Sequence, residues 1–280
     1  MSDALRIACG TFGRVALLNM DHSLVRHAHP HCHVLLKVEG ADTTFAVGET
    51  VVPLTDRTAV LVNGWEPHAY VHNPLAPKTI ILALYIEPEW LRMFRPAWGA
   101  SGVPGFFEQP GGEISPRIHR LAHNLSAEMM ARPDAGKDHE ELLADLMIAV
   151  VERFTPWRSL PSISTLDSHR RMDWRIRRII TSMRENLNQD LDMTTLAREA
   201  GLSRAHFFRL FEASTNVSPR IYLNVMRVEA AVSAVVQAND NLTDISERLG
   251  FSAPSHFSRF FREHTGVAPS AFRTISRMAM

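Results

Sequence analysis

Two groups of residues in this sequence have side chains and spacings suited to binding. In the first group, imidazoles recur at every second position of a short segment, at His27, His29, His31 and His33. Imidazoles bind divalent metals and form hydrogen bonds with organic ligands. In the second group, arginines and serines share the polar faces of two predicted helices near the C-terminus. Guanidinium and hydroxyl groups contact phosphates and base edges, so this group indicates a nucleic-acid surface.

The arginines and serines lie in an internal repeat, which joins segments 203–222 and 253–272 at a shift of about fifty residues. In each copy, apolar residues at positions i, i+3 and i+4 predict an amphipathic helix with one buried face. The matching positions are His206/His256, Phe207/Phe257, Arg209/Arg259, Phe211/Phe261, Thr215/Thr265, Val217/Val267 and Pro219/Pro269.

Each copy follows a second, shorter helical pattern that stops at a glycine. The chain restarts at a serine that can cap the next helix, at Gly201-Leu202-Ser203 and at Gly250-Phe251-Ser252. Helix, glycine turn and capped helix is the helix-turn-helix pattern, in which the second helix enters the DNA major groove. Two copies in one chain are more specific than one.

On these residues, segment 171–280 resembles the DNA-binding domain of the AraC/XylS family of bacterial transcription regulators. The resemblance implies two helix-turn-helix subdomains joined by a linker helix, here about 218–237. That helix would present both recognition helices to major-groove segments roughly 34 Å apart on one side of the duplex. The resemblance nominates as DNA contacts Ser203, Arg204, Ala205, Phe208, Arg209, Ser252, Pro254, Ser255, Ser258, Arg259 and Arg262.

Two positions depart from the family pattern. Asn216 stands where the second copy has Gly266. Because asparagine tolerates the left-handed conformation, we expect the turn to be retained. Phe208 stands where the second copy has Ser258. Its ring would either contact a thymine methyl or sugar, or cover apolar surface of its own domain, and we favour the packing role.

Charge is distributed unevenly, although the whole chain has a formal net charge of zero. Residues 1–170 hold 15 Lys+Arg and 19 Asp+Glu, whereas residues 171–280 hold 15 and 11. All the Lys or Arg positions after Arg170 are arginine, which suits bidentate contacts with phosphate and guanine. We expect Arg209 and Arg259 to contact DNA; ion pairs with Glu199 or Glu247 are the alternative.

The N-terminal part, from about residue 7 to 87, contains many short strand-like runs separated by turn signals, which predict an antiparallel β-barrel or jelly roll. With the histidine-rich run 26–33, Glu39-Gly40 and Pro67-His68, it resembles the cupin-like barrel that many AraC-type regulators carry as a sensor. Two flanking helices, 114–130 and 140–154, would either cover the barrel or pair subunits. The resemblance favours a homodimer.

The histidines lie on one face with Lys37 where the segment is extended. We expect an effector pocket that includes His27, His29, His31, His33, Lys37 and His68. Metal-binding cupins imply instead a divalent-metal set of His31, His33, Glu39 and His68. In this sequence the glutamate is farther from the histidine pair than usual, and Pro30 interrupts the strand. An organic-ligand pocket is therefore favoured over a metal site, and Cys32, on the opposite face, should belong to the core.

These observations predict an α+β chain of two domains. Residues 1–155 would form the cupin-like sensing and dimerisation domain, 156–171 a linker, and 172–280 the all-α DNA-binding domain. Cys9 and Cys32 are too few for a disulfide framework. The start lacks a secretory-signal pattern, and no apolar run approaches the roughly 20 residues of a membrane span. We expect a reduced, cytoplasmic protein without membrane contact.

The repeat and the sensor-like barrel together favour a ligand-responsive, sequence-specific transcription regulator, an activator rather than a repressor. Its partners would be double-stranded DNA half-sites, RNA polymerase, a small effector and a second copy of the chain, with no cofactor required. No nucleophile–base arrangement or phosphate-binding glycine loop indicates catalysis. Two alternatives stay open: a metal-dependent cupin enzyme with an accessory DNA-binding domain, and a regulator whose barrel only dimerises.

Overall fold

The computed structural model describes residues 3–156, 172–189, 191–237 and 240–277. The linker predicted at 156–171 lies, apart from Pro156, outside the described residues. On either side of it, one helix ends at Phe154 and the next begins at Trp174.

The N-terminal domain contains two antiparallel sheets. The larger has the strand order β1-β2-β8-β3-β6-β9 and the smaller β5-β4-β7. The strands are β1 (Asp3–Gly10), β2 (Gly13–Met20), β3 (Cys32–Gly40), β4 (Thr43–Val47), β5 (Thr50–Leu54), β6 (Thr58–Val62), β7 (His68–Val71), β8 (Thr79–Ile86) and β9 (Gly111–Glu113). The barrel expected from the sequence is not closed: the small-sheet strands have five residues or fewer, and their ladders do not continue into the larger sheet.

Both faces of the larger sheet are buried, and strand alternation assigns each residue to one of them. On β3, Cys32, Val34 and Leu36 face the helices, as expected for Cys32, whereas Leu35 faces the smaller sheet. On β8, Ala83 and Tyr85 face the smaller sheet too. His33 pairs with Tyr85 in the β3–β8 ladder and stacks on its ring, so this histidine points between the two sheets.

Three helices and a 3₁₀ turn cover the outer face of the larger sheet. They are α1 (Pro88–Phe94), the turn Pro96–Gly102, α2 (Pro116–Ala131) and α3 (Gly136–Phe154). α2 and α3 bury Leu125, Leu143 and Leu146 in the same core as the outer residues of the sheet. The two helices therefore do cover their own barrel, while pairing of subunits through them stays a prediction.

The C-terminal domain is helical, and its helices follow the predicted repeat. They are α4 (Trp174–Glu185), α5 (Met193–Glu199), α6 (Arg204–Thr215), α7 (Pro219–Gln237), α8 (Leu242–Arg248), α9 (Pro254–Thr265) and α10 (Pro269–Arg277). α5–α6 and α8–α9 are the two helix-turn-helix pairs, and α7 is the linker helix. The two-domain α+β fold predicted from the sequence is confirmed.

The two domains pack against each other. α10 lies along β1, and residues of both share one hydrophobic core, for example Ile7 and Phe272. On the other subdomain, Trp65 stacks on Tyr222 with ring centroids 4.5 Å apart and planes 4° from parallel. No helix in the described ranges combines the length and hydropathy that a bilayer-spanning helix requires.

Candidate nucleic-acid interface and ligand sites

The helices α6 and α9 bury one face and leave the opposite face open. α6 buries Phe207 and Phe211, and α9 buries Phe257 and Phe261 at the matching positions. Of the predicted DNA contacts, those exposed to solvent are Ser203, Arg204, Ala205, Arg209, Ser252, Pro254, Ser255 and Arg259, while Phe208, Ser258 and Arg262 are half-buried. The structure thus gathers these side chains on the outer faces of two equivalent helices. Their contacts with DNA stay a prediction.

Some of these side chains also have structural roles. The Ser203 hydroxyl caps α6 by accepting a hydrogen bond from the His206 backbone N–H at 3.3 Å. Phe208 packs against the core of the first subdomain, and its ring faces the Arg204 guanidinium 5.7 Å away. These contacts are consistent with a packing role for Phe208.

Arg209 and Arg259 occupy the same place in the two copies, and both are exposed. Within the part of the chain that the structure describes, neither forms an ion pair, so the alternative pairing with Glu199 or Glu247 is not found. Two exposed guanidinium groups without an ion-pair partner in the described residues are suited to phosphate or guanine.

The turns that end both recognition helices have the same left-handed backbone. Asn216 has φ 64° and Gly266 has φ 78°. The expectation that asparagine would retain the turn is confirmed. The same hydrogen bond spans each turn: the Thr215 hydroxyl donates to Val217 O at 3.0 Å, and that of Thr265 donates to Val267 O at 3.1 Å. These bonds account for the repeated threonines.

Arg227 and Arg273 have equivalent structural roles that sequence reasoning missed. Arg227 donates to the carbonyl oxygens of Leu187 and Gln189, in the loop before α5. Arg273 donates to those of Val235 and Asp240, before α8. The signal was present as arginines 46 residues apart after each recognition helix. Both hold the loop that leads into a helix-turn-helix pair.

His31 forms an ionic link between the domains. Its Nδ1 lies 3.3 Å from a Glu87 carboxylate oxygen, and its Nε2 lies 3.6 Å from one of Glu229 on α7. Burial alone would lower the pKa of His31, but hydrogen bonds and charge from Glu229 and Glu87 outweigh it and raise the pKa to about 9. Burial tends to raise the pKa of Glu229, but the hydrogen bond to His31 and the charges of Arg14 and His31 together outweigh burial and lower this pKa. His31 is therefore cationic at neutral pH and attaches the barrel to the linker helix.

This link predicts a pH-dependent stability. Because the folded pKa of His31 lies above its ordinary value of 6.5, the stabilisation is complete below about pH 6.5 and is lost as the pH rises through about 9. Between pH 6 and pH 10, we expect the free energy of unfolding of wild type to fall by up to about 3 kcal/mol relative to that of His31→Gln. Urea unfolding of both proteins across that range measures the difference, and a difference independent of pH would contradict the assignment.

A cavity of about 230 Å³ lies beside this link, between the barrel and the linker helix. Its lining residues are Cys9, Gly10, Gly13, Arg14, His31, Tyr85, Glu87, Glu229, Val232, Ser233, Val236 and Gln237. The Arg14 guanidinium lies over the Tyr85 ring, 3.9 Å from its centroid, and is buried. Among the described residues Arg14 has no ion-pair partner. The cavity therefore offers a cationic group to a small ligand.

Four of the five predicted effector histidines form a second cluster. His27, His29, His33 and His68 are all buried, and His27 is joined to His68 by an isolated β-bridge between the segment before β3 and strand β7. Burial and the neighbouring histidines lower the pKa of His27 and His29 well below the usual range. Burial likewise lowers the pKa of His33 and His68 to about 3. All four rings are neutral at physiological pH.

The other nominated ligand residues lie elsewhere. Pro30 interrupts the extended segment before β3 begins at Cys32, which turns His31 away from its alternating neighbours towards Glu229. Lys37 binds Asp42 at 2.5 Å and Asp56 at 3.2 Å. Glu39 is exposed near the end of β3, about 20 Å along the strand from His33. The metal set His31, His33, Glu39 and His68 implied by the cupin resemblance is therefore not brought together.

Comparison with known proteins bears on the C-terminal half. A family model described as a helix-turn-helix domain matches residues 196–275, from α5 into α10. Residues 196–275 therefore form a helix-turn-helix domain. The predicted resemblance of this half to AraC-type regulators is confirmed, and the matched range contains both helix pairs except the first three residues of α5.

Two curated relatives that match this domain are named as transcription activators. The transcriptional activator NphR of a Rhodococcus species is 34% identical over 116 residues, which are 41% of this chain and 33% of that protein. The lactose operon transcription activator of Staphylococcus xylosus is 24% identical over 98 residues, 35% of either chain. The alignments thus span about a third of the length of these two relatives.

Solved structures of ToxT from Vibrio cholerae strain SCE256 share the fold over nearly the whole chain. The apo form has a TM-score of 0.57 at 12% identity and covers 96% of this chain and 99% of ToxT. A form with an unsaturated fatty acid bound has a TM-score of 0.51 at 12% identity and covers 99% and 95%. At this identity the likeness concerns the fold alone.

Proposed function

We propose that this protein is a transcription regulator that binds specific double-stranded DNA and responds to a small effector. One observation supports the proposal most strongly: two equivalent helices each expose an arginine, Arg209 or Arg259, that has no ion-pair partner among the described residues. Serine hydroxyls and Arg204 or Arg262 flank them on the same faces. Such a pair of faces suits two neighbouring major-groove segments of one duplex.

The effector, in this proposal, is a small organic anion that binds between the domains. Arg14 supplies a buried positive charge to the cavity, and Glu229 on α7 forms the opposite wall. A ligand there would contact the barrel and the linker helix together, so its binding would favour one arrangement of the domains over another. The fatty acid bound to ToxT is an anion held by a protein of the same fold, which supports this chemical class.

The proposal also includes activation of transcription and a homodimer. The names of the curated relatives include two activators, which supports activation of transcription, with RNA polymerase as a partner. Met130 on α2 leaves 43% of its surface exposed, which suits a homodimer contact through the α2–α3 pair. We propose no catalytic role and a cytoplasmic location.

Recovery of genomic fragments by the full-length protein tests this function. Sheared DNA from the source organism is incubated with the protein, with and without a mixture of small carboxylates, and the bound fragments are sequenced. We expect enrichment of fragments that share one motif upstream of genes, and a change in their yield when the carboxylates are present. Bound fragments with the composition of the input DNA would contradict specific binding. If the yield of bound fragments is the same with and without the carboxylates, only the proposal of an organic-anion effector is contradicted.

A further inference from the structure

We propose that His27, His29 and His68 form a binding site for a divalent transition-metal ion, at the base of a groove between the barrel and α7. The site is distinct from the cavity that contains Arg14. It is also a different set from the one that the cupin resemblance implied, and it contains no carboxylate.

The geometry suits one small ion. One nitrogen from each of the three rings can be chosen so that all three lie within 4.8 Å of one another. The ring centroids are 4.4 Å apart for His27 and His68, 4.8 Å for His27 and His29, and 5.1 Å for His29 and His68. Nitrogen ligands at 2.0–2.1 Å from a tetrahedral ion lie about 3.3 Å apart. The nitrogen atoms therefore have to approach one another by roughly 1.5 Å at most to bind one ion.

Backbone hydrogen bonds already fix, in two of the three rings, the tautomer that metal binding needs. Nδ1 of His27 lies 2.7 Å from Val25 O, and Nδ1 of His68 lies 2.9 Å from Glu66 O. A carbonyl oxygen only accepts, so both rings carry their hydrogen on Nδ1 and leave the Nε2 lone pair free. Ligating histidines in metal sites are held in this way by their second nitrogen.

Two ring nitrogens of the cluster are buried without a partner. Nε2 of His29 and Nε2 of His68 form no hydrogen bond, and the two residues are 3% and 1% exposed. Buried polar atoms are normally paired, so two unpaired ring nitrogens in one cluster require an explanation. A cation between them satisfies both.

The donor set indicates the class of ion. Neutral imidazoles suit Zn²⁺, Ni²⁺, Co²⁺ and Cu²⁺, whereas Mg²⁺ and Ca²⁺ require oxygen ligands. His33 is the nearest further donor, with its ring centroid 5.4 Å from those of His29 and His68, and its Nδ1 lies 3.0 Å from Leu84 O. The fourth position is taken by His33, by water or by a small anion.

The groove connects the site with the DNA-binding domain. Its walls include Asn224 and Val228 of α7 and His264 of α9, and the ring of His264 lies 6.4 Å from that of His27. Occupancy by metal would therefore alter the packing of α7 on the barrel. This coupling rests on the proposed function, whereas metal binding does not.

The test uses full-length, untagged protein that is stripped with EDTA and dialysed against Zn²⁺ or Co²⁺. We expect about one ion per chain and a Co²⁺ absorption band, both lost in His29→Gln and in His68→Gln. The control is His119→Ala/His123→Ala, because these two rings lie 4.3 Å apart on α2 and form the competing surface site. The control should retain the ion. Metal-free wild type, retention by the two glutamine variants, or loss in the control would overturn the proposal.

Two measurements keep the test decisive if a glutamine variant unfolds. Long-range ¹H–¹⁵N spectra of the wild-type histidine rings should show Nε2 signals of three rings shifting with Zn²⁺, and unchanged signals would overturn the site. DNA binding by stripped protein is measured separately. If wild-type protein binds DNA but takes up no metal, the metal site alone is refuted. If it takes up metal but binds no DNA, the proposed function is refuted.

Discussion

Replacing Arg209 or Arg259 by alanine is expected to weaken binding to specific DNA roughly 5- to 150-fold, since a base-reading arginine contributes about 1–3 kcal/mol. The two residues lie on separate helices, so the losses should add in the double variant. If either arginine contacts phosphate instead, its replacement lowers the affinity for all sequences, and the slope of log affinity against log salt concentration decreases by about one.

Stability should not change in these variants. Both side chains are exposed and have no ion-pair partner within the described ranges, and surface substitutions of this kind stay within about 0.5 kcal/mol. Anisotropy titrations with a recovered DNA site, together with thermal melting, separate the two effects. Arg120→Ala, an exposed arginine on α2, is the matched control. If the variants that bind DNA weakly also melt at a clearly lower temperature than wild type, the arginines stabilise the fold and do not contact DNA.

Replacing Gly250 by alanine is expected to destabilise the protein far more than the same change at Gly201. Both glycines end the first helix of a helix-turn-helix pair with positive φ, 76° and 67°. Alanine in this region costs about 1–2 kcal/mol. At Gly201 nothing lies within 4 Å of an added Cβ, whereas at Gly250 it would overlap the backbone carbonyl of Asn188. The collision adds about 1–3 kcal/mol, so we expect roughly 2–5 kcal/mol at Gly250.

The residue that an added Cβ at Gly250 would overlap, Asn188, links the two subdomains. Asn188 belongs to the loop before α5, in the other subdomain, and Arg227 holds the same loop through Leu187 O and Gln189 O. Gly250→Ala should therefore disturb the spacing of α6 and α9 and lower specific DNA binding beyond the effect of Gly201→Ala. Urea unfolding and DNA titration of both variants measure this. Equal effects of the two substitutions would show that the contact does not fix the subdomains.

The sequence predicts the C-terminal half well because its signals are local. Gly201 and Gly250 end helices, Ser203 caps one, and the aromatic spacing marks the buried faces. Each signal is confined to a few residues, and the glycines and the aromatic spacing occur in both copies. The roles of Arg227 and Arg273 depend on carbonyl groups about forty residues away, so no local pattern reveals them.

The ligand sites are predicted less well, because they depend on long-range pairing. Alternation places all four histidines of 27–33 on one face, but Pro30 ends that regularity and His31 faces Glu229 instead. The partner of His27 is His68, 41 positions along the chain, brought near by a β-bridge that no periodicity specifies. The interdomain cavity combines strands with a linker helix from the other domain, so no stretch of sequence contains it.

The central claim is that α6 and α9 read two neighbouring segments of one DNA site. Selection of binding sites from random double-stranded DNA, with wild type, Arg209→Ala and Arg259→Ala, tests it most directly. We predict that wild type selects two conserved segments one helical turn apart, about 10 base pairs. Each variant should lose base preference in one segment only, and a different one. Loss in the same segment with both variants, or a wild-type site with a single segment, would contradict the account.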